Sequence, residues 1–251
     1  MKTVYFDSNK FEYGTKEELI KEALKHNVIM NKTVEIGDKV QIGNNVRFGY
    51  AVEIGYSVII RNNTYIGYST KIDSFVEIGE FVVIGSRSKI GASAIINNNV
   101  EIGNNVSIGC EAKIKDGVCI ENGTNIGYFT SIGKNISIGI DVSIGERTII
   151  KADAIVLNYA TIENGNTIGS NAIVGKNAII KYGTNIGVGV TLGRNVVVGK
   201  CIIIEENVRV PSNIYISEYS IIKENTNIIN YLTSIYSQYI KAQKWYLLKR
   251  Q

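Results

Sequence analysis

Hydrophobic residues recur along this chain with a period of six. Every sixth position from Ile36 to Ile228 holds a large apolar residue, and all 33 positions of the series obey the rule. Two residues before each of them lies a small or β-branched residue, with Asn166 the one exception. Glycine follows the large residue at 19 of the 33 positions. A register kept over about 200 residues predicts a repeat structure.

The length of the repeat indicates what each unit forms. Six residues with two inward-pointing side chains make a short strand followed by a turn, and the glycine and asparagine residues suit turns because they tolerate positive φ. A strand of so few residues is not stable alone. Successive coils must therefore pair at a spacing of roughly 4.8 Å and bury a continuous apolar column. The pattern predicts an all-β solenoid.

The chain divides into three parts. Residues 1–29 precede the repeat and contain a strand-like run, Val4-Tyr5-Phe6. They also have capping-box spacing at Thr15–Glu18, which predicts a helix over about residues 16–26. Residues 30–229 form the predicted solenoid. Residues 230–251 carry apolar side chains at helical spacing and predict a helix that covers the open end or packs on a neighbouring subunit.

Composition and charge exclude several classes of function. The formal net charge is +4 and the basic residues are spread along the chain, which argues against nucleic-acid binding. No stretch approaches the roughly 18 apolar residues of a membrane span, and the N-terminus lacks an apolar leader, so a cytoplasmic protein is predicted. Cys110, Cys119 and Cys201 lack zinc-ligand spacing and are expected to be free thiols.

The six-residue pattern resembles that of the hexapeptide-repeat acyltransferases. This resemblance implies a left-handed parallel β-helix in which three hexapeptides form one triangular coil. The 33 repeats then give about 11 coils, with short helices at both ends of the chain. It also implies acyl-CoA as the co-substrate and a homotrimer with its sites between subunits. Because no insertion interrupts the repeat, a substrate cleft must lie on the prism surface.

Histidine is nearly absent from the chain. Many sugar and lipid acyltransferases of this fold use a histidine in a coil as the base, and the γ-class carbonic anhydrases bind zinc with three histidines. Here the only histidine is His26, in the predicted N-terminal helix. No metal is therefore expected. An amine acceptor needs no such base, because its neutral nitrogen carries a lone pair and the departing thiolate can take the proton.

A narrower resemblance follows from the uninterrupted coils without histidine. The chain is similar to the N-acyltransferases acting on dTDP-4-amino-4,6-dideoxyglucose, such as the enzyme of anthrose biosynthesis. The likeness implies acyl transfer from coenzyme A to the amine of a nucleotide-linked amino sugar. It also implies acidic residues near the segment 91–101, where Glu101 is present and Ala94 supplies no carboxylate. Glu101 is the candidate catalytic residue, expected to orient the amine.

Candidate binding residues follow from stacking positions 18 apart. The turn column that contains Gly43 departs from glycine at Arg61, Asn97, Lys115 and Lys151, which gathers polar and cationic groups on one edge of the prism. Phosphates need fixed donors and positive charge. We therefore expect Arg61 and Asn97 to bind the substrate, and Lys115 and Lys151 to bind coenzyme A.

Outward-facing apolar residues predict an oligomer. Ile59, Ile95, Ile149 and Ile203 share one outward column, which a monomer would leave in contact with water. Glu101 stacks with apolar outward residues, as expected of a cleft between subunits. Two other functions remain open at this point. One is O- or N-acyl transfer to another acceptor, and the other is a non-catalytic scaffold or binding protein.

Overall fold

The structure is a computed structural model that describes residues 2–224, 226, 228–230 and 233. The predicted C-terminal helix, 230–251, lies almost wholly outside these described residues. The remainder is a triangular solenoid whose short strands form three parallel sheets, here named faces A, B and C. The predicted solenoid is confirmed, and the left-handed winding that the resemblance implies stays a prediction.

The 32 coil strands make ten complete three-strand coils and two further strands, against the 11 coils expected. Face A contains Val40–Ile42, Ile59–Ile60, Glu77–Ile78, Ile95–Ile96, Lys113–Ile114, Ser131–Ile132, Ile149–Ile150, Thr167–Ile168, Asn185–Ile186, Ile203–Ile204 and Ile221–Ile222. Face B contains Arg47–Phe48, Tyr65–Ile66, Val83–Ile84, Glu101–Ile102, Cys119–Ile120, Ser137–Ile138, Ile155–Val156, Ile173–Val174, Thr191–Leu192 and Arg209–Val210. Face C contains Glu35–Ile36, Glu53–Ile54, Lys71–Ile72, Lys89–Ile90, Ser107–Ile108, Asn125–Ile126, Ser143–Ile144, Thr161–Ile162, Ile179–Ile180, Val197–Val198 and Tyr215–Ile216.

The six-residue rule reflects the interior of the prism. The second residue of each two-residue strand is buried, and so is nearly every residue at the small or β-branched position. Partners in neighbouring coils are 18 residues apart, as in the pairing of Glu77 with Ile95. Interior threonines satisfy their hydroxyls within the stack; Thr124 Oγ1 donates to the carbonyl of Gly139 at 2.8 Å. The core is therefore one continuous column.

The turns at the three edges explain the glycine and asparagine residues. The third residue of each turn has a positive φ, as at Asn45 with φ 58°. Where the first turn position is glycine, the next coil packs so closely that a side chain would collide with its backbone. A Cβ at Gly37 would lie 2.4 Å from the carbonyl oxygen of Gly55.

The N-terminal part covers the first coil. Strands β1 (Lys2–Phe6) and β2 (Asn9–Tyr13) form an antiparallel hairpin, and β1 pairs in parallel with Val40–Ile42, so the hairpin extends face A. Helix α1 (Lys16–Lys25) has the predicted capping box and buries Leu19 in the common core. The helix and the first strand are confirmed, whereas β2 was not predicted because its sequence lacks a clear alternation of apolar and polar residues.

The repeat pattern extends beyond the coils themselves. The last coil strand in the described part of the chain is Ile221–Ile222, and Ile228 lies in a helical segment at 228–230 although it continues the six-residue series. Its side chain is nevertheless buried at 3% exposure. The prediction that Ile228 lies in a coil strand is wrong, because an apolar side chain at this position covers the core equally well from a helix.

Candidate functional site

The turns between faces A and B form the A–B edge, which carries four of the five predicted site residues. Arg61 and Asn97 line one groove of about 390 Å³, and Gly79 lies between them in the column. Because Gly79 has no side chain, the column is open at this level. The sequence-based stacking therefore brought Arg61 and Asn97 together correctly.

A chain of side-chain hydrogen bonds holds the turns of this groove. The Asn62 Nδ2 donates to Glu80 Oε1 at 3.2 Å, and the Glu80 amide donates to Asn98 Oδ1 at 2.8 Å. One coil further, the Asn98 amide donates to Asp116 Oδ1 at 3.2 Å. Lys134 lies 3.1 Å from Asp116, and its hydrogen bond holds the pKa of that carboxyl below its usual value. The middle turn residues thus act as structure, and the Asn97 side chain also hydrogen-bonds to the Asp116 carboxyl and helps to lower its pKa.

The two predicted coenzyme A residues lie in different surroundings. Lys115 is exposed and follows Asn97 directly in the next turn of the column. Lys151 lies two coils beyond Lys115, roughly 10 Å along the prism. It lines a separate groove of about 470 Å³ that also contains Glu205 and Glu206. With Glu224, three carboxylates line the groove of Lys151, whereas two, Glu77 and Glu80, line the groove of Arg61 and Asn97. Lys115 adjoins Asn97 in the column, and Lys151 lies in a separate and more acidic groove.

Glu101 lies on face B, around the corner from the groove. It pairs with Val83 on one side and Cys119 on the other. Its carboxylate is exposed, and no hydrogen bond or ion pair engages it within the part of the chain that the structure describes. Burial, followed by the charges of Glu121 and Glu101, raises the pKa of the Cys119 thiol. Glu101 is thus a free carboxylate beside a neutral thiol and an apolar side chain.

Ala94 occupies an interior position. Its side chain is fully buried, so an acid at this position would point into the core rather than toward a substrate. The missing second carboxylate is therefore a consequence of the register and does not bear on the surface site.

The isoleucines of face A are not contiguous. Ile59 and Ile95 are separated by Glu77, with which both pair, and Lys113 follows Ile95. Further along, Ile149 and Ile203 are 46% and 43% exposed. The outward column that the sequence predicted is present. Charged and polar residues interrupt it, because the coils between those that carry isoleucine have residues such as Glu77 and Lys113 at the same outward position.

Sequence reasoning missed an apolar group next to Glu101. Tyr65 and Val83 precede Glu101 on face B, and Phe81 lies in the turn two residues before Val83. Tyr65 and Val83 are each 44% exposed, and Phe81 is 56% exposed. The signal available in the sequence was an aromatic residue at a turn position where asparagine and glycine are common.

The histidine and the three cysteines are further chemically reactive groups of the described residues. His26 caps helix α1 and its ring stacks on Phe6 at 5.0 Å, so it belongs to the N-terminal cover rather than to the coils. The three cysteines are free. Within the described ranges, no group of three His, Cys, Asp or Glu side chains is arranged to hold a metal ion. None of the helices in those ranges has the length and apolar character needed to cross a bilayer.

Comparisons with known proteins were made by sequence and by structure. No protein-family model matches the sequence, and no curated protein matches it either. Among solved structures, the UDP-N-acetylglucosamine acyltransferase of Francisella novicida aligns at 21% identity and TM-score 0.47, over 65% of this chain and 62% of that one. A second UDP-N-acetylglucosamine acyltransferase aligns at 18% identity and TM-score 0.49, over 61% of this chain and 64% of its own. The Arabidopsis enzyme of the same name aligns at 16% identity and TM-score 0.30, over 76% of this chain and 69% of that one. The alignments thus span somewhat less than two thirds of the first two proteins.

Proposed function

We propose that this chain is an acyl-CoA-dependent N-acyltransferase of the hexapeptide-repeat class that acylates the amine of a nucleotide-linked amino sugar. One observation carries the proposal. The same A–B edge has on one side a groove lined by Arg61 and Asn97 together with Glu77 and Glu80, and on the other side a free carboxylate with apolar neighbours. Arg61 and Asn97 offer hydrogen-bond donors to the phosphates of a nucleotide, and Glu101 suits an amine beside a pantetheine arm.

The chemistry needs no protein base. The neutral amine attacks the thioester carbon, so that a carbon–nitrogen bond forms and the carbonyl becomes a tetrahedral oxyanion. As this intermediate collapses, the carbon–sulfur bond breaks and the coenzyme A thiolate takes the proton released by nitrogen. The products are an amide and free coenzyme A. Glu101 accepts a hydrogen bond from the amine and orients its lone pair, so that positioning supplies much of the rate.

The binding roles follow the surroundings of each residue. Arg61 and Asn97 hold the phosphates and sugar of the acceptor, and Lys115 holds a phosphate of coenzyme A. Lys115→Ala is expected to weaken coenzyme A binding about tenfold or more, as for other hydrogen bonds to a charged group. Lys151→Ala is the matched control, because it removes the same side chain from the same column two coils away, in the more acidic groove. Titration calorimetry checks both, and equal losses would contradict this assignment.

The proposal includes a homotrimer whose A–B edges meet at the threefold axis. Face A of one prism then faces face B of the next across a wedge, in a closed ring of heterologous contacts. A rotation about an axis parallel to the prisms leaves the position of every residue along that axis unchanged. Asn97 and Glu101 belong to the same coil, so Asn97 of one chain and Glu101 of the next chain lie at the same level along the axis. The exposed isoleucines of face A support this contact.

Mixed trimers test the shared site directly. Arg61→Glu should abolish activity from the face A side, and Glu101→Arg from the face B side. If each site takes one face from each neighbour, a site in a mixed trimer works only when its face A comes from a Glu101→Arg chain and its face B comes from an Arg61→Glu chain. In a random mixture of equal amounts this holds for about a quarter of the sites, so about a quarter of the wild-type activity should return. The control is a chain that carries both substitutions, which stays inactive when mixed with either single variant. No recovery in mixed trimers of verified composition would contradict a shared site.

Glu101→Gln tests the role of the carboxylate. The amide oxygen of glutamine can still accept a hydrogen bond from the amine, so we expect kcat to fall by less than about tenfold, with part of the effect in KM. kcat/KM should rise with pH until the acceptor amine is neutral. A loss of several hundredfold with unchanged folding would identify Glu101 as an obligatory base.

The substrate class is tested by a panel experiment. The protein is incubated with acyl-CoA donors and with dTDP- and UDP-linked amino sugars, and products are identified by mass spectrometry. An acylated nucleotide sugar supports the proposal. Acylation of a hydroxyl or of another amine alone would assign a different acceptor, and no transfer with any pair would favour a scaffold or binding protein.

A further inference from the structure

The third residue of every turn has a backbone conformation that disfavours large side chains. Asparagine and glycine fill many of these positions, and both accept a positive φ at little cost. Five aromatic residues occupy the same position with φ between 56° and 63°: Phe75, Phe81, Phe129, Tyr159 and Tyr219. Each combines an unfavourable backbone with an exposed ring, which calls for a functional explanation.

Contacts within the chain account for three of these five rings. Phe75 meets Tyr56 edge-on at 5.5 Å between ring centroids. Cations cover two others at the distances of cation–π pairs, Arg147 over Phe129 at 5.7 Å and Lys176 over Tyr159 at 5.3 Å. Phe81 and Tyr219 have neither an aromatic nor a cationic partner among the described residues. Tyr219 lies between faces C and A, whereas Phe81 lies next to face B, and the neighbours of Phe81 in its column are Asn63 and Asn99.

Phe81 adjoins the part of face B that leads to Glu101. Along this face, Arg47, Tyr65, Val83 and Glu101 are successive partners in the parallel sheet. Arg47 is exposed and lies three strand spacings from Glu101, roughly 14 Å. The order along the face is therefore a cation, an exposed aromatic and aliphatic surface, and then a free carboxylate.

We infer that Phe81, with Tyr65 and Val83, is the platform on which the base of a nucleotide-bearing substrate stacks in the proposed acyltransferase site. This inference rests on the proposed function and deepens it. A flat ring with an open face suits a nucleobase, because every base has a π-face and stacking needs no particular hydrogen bonds. Glu101 lies one strand beyond Val83 and marks the reacting end, and Arg47 lies on the opposite side of the platform. Coenzyme A and a nucleotide sugar share this chemistry.

Equilibrium binding of coenzyme A, dTDP and UDP separates the two sources of the base. The variants are Phe81→Asn, Phe81→Tyr and Phe75→Asn. Phe75 is the matched control, because it has the same 56% exposure, a similar φ of 63° and the same turn position on another edge. Asparagine favours this backbone conformation, so Phe81→Asn should melt at or above the wild-type temperature. Phe75→Asn gains the same backbone advantage but loses the edge contact with Tyr56, so it should melt close to the wild-type temperature.

Phe81→Asn should weaken binding of one nucleotide class about tenfold or more, the range of base–aromatic stacking. Phe81→Tyr and Phe75→Asn should bind as the wild type does. The ligand that loses affinity identifies the source of the base. Unchanged affinity in Phe81→Asn, equal losses in Phe75→Asn, or no binding of any of the three nucleotides to the wild type would overturn the inference.

The outcome is separable from that of the proposed function. If nucleotide binding depends on Phe81 but no acyl donor and acceptor pair reacts, the platform stands and acyl transfer fails. If acyl transfer is found and Phe81→Asn changes the KM of neither substrate, the platform fails and the acyltransferase stands.

Discussion

Replacing Asn166 by alanine removes two hydrogen bonds from the interior of the solenoid. Asn166 is 1% exposed and is the one exception to the small or β-branched pattern. Its Nδ2 donates to the carbonyl of Glu163 at 2.7 Å, and its Oδ1 accepts from the Thr184 amide at 2.7 Å. Alanine fits the space but makes neither bond.

The expected loss of stability follows from these two bonds. The bond to Glu163 contributes about 1 kcal/mol net, and leaving the Thr184 amide without its partner costs about 1–3 kcal/mol. Asn166→Ala should therefore destabilise this coil by about 2–4 kcal/mol. Asn166→Thr is the matched control, because Thr124 in the same kind of position both donates to Gly139 and accepts from the Val142 amide. We expect its cost to stay below about 1 kcal/mol.

Amide hydrogen exchange of Thr184 is the direct assay. Solenoid coils are stabilised mainly by their neighbours, so the effect should be local. The Thr184 amide should exchange about 30-fold faster or more in Asn166→Ala, since 1.4 kcal/mol corresponds to a factor of ten. In Asn166→Thr it should stay protected. Equal protection in alanine variant and wild type, or equal exchange in both variants, would refute the reasoning.

Three further predictions concern packing, reactivity and assembly. Gly169→Ala should lower the melting temperature, with a cost of about 1–3 kcal/mol, because its Cβ would lie 2.5 Å from backbone atoms of Gly187. Gly165→Asn should melt as the wild type does, because φ is +66° and nothing lies within 4 Å of that Cβ; equal losses in the two variants would contradict this packing. Burial, Glu121 and Glu101 raise the pKa of the Cys119 thiol, so its alkylation by iodoacetamide should increase only at higher pH than for free cysteine. Glu121→Gln should speed this reaction more than Glu101→Gln does, and peptide mass spectrometry that found the reverse order would contradict the ranking of the two charges. Light scattering should give about three times the 27.6 kDa of one chain, and a mass of 27.6 kDa would exclude the trimer.

Part of the candidate site followed from sequence alone because the prism has a constant pitch. Positions 18 apart must stack, so the spacing of Arg61 and Asn97 is enough to assign both residues to one edge. The same arithmetic could not say that Lys151 shares its groove with Glu205, since those residues are three coils apart in the column. Nor could it single out Phe81, whose importance depends on which other rings have partners.

The amino-acid sequence by itself determined the solenoid and the capped helix α1. It could do so because each of these depends on contacts at a fixed separation, six residues within a coil and 18 between coils. Only the tertiary structure decided that residues 9–13 pair with β1, that Ile228 lies in a helical segment, and that Phe81 lacks the ring or cation partners that Phe75, Phe129 and Tyr159 have. These features depend on how faces meet at a corner and on what each side chain finds beside it, and no period along the chain encodes that.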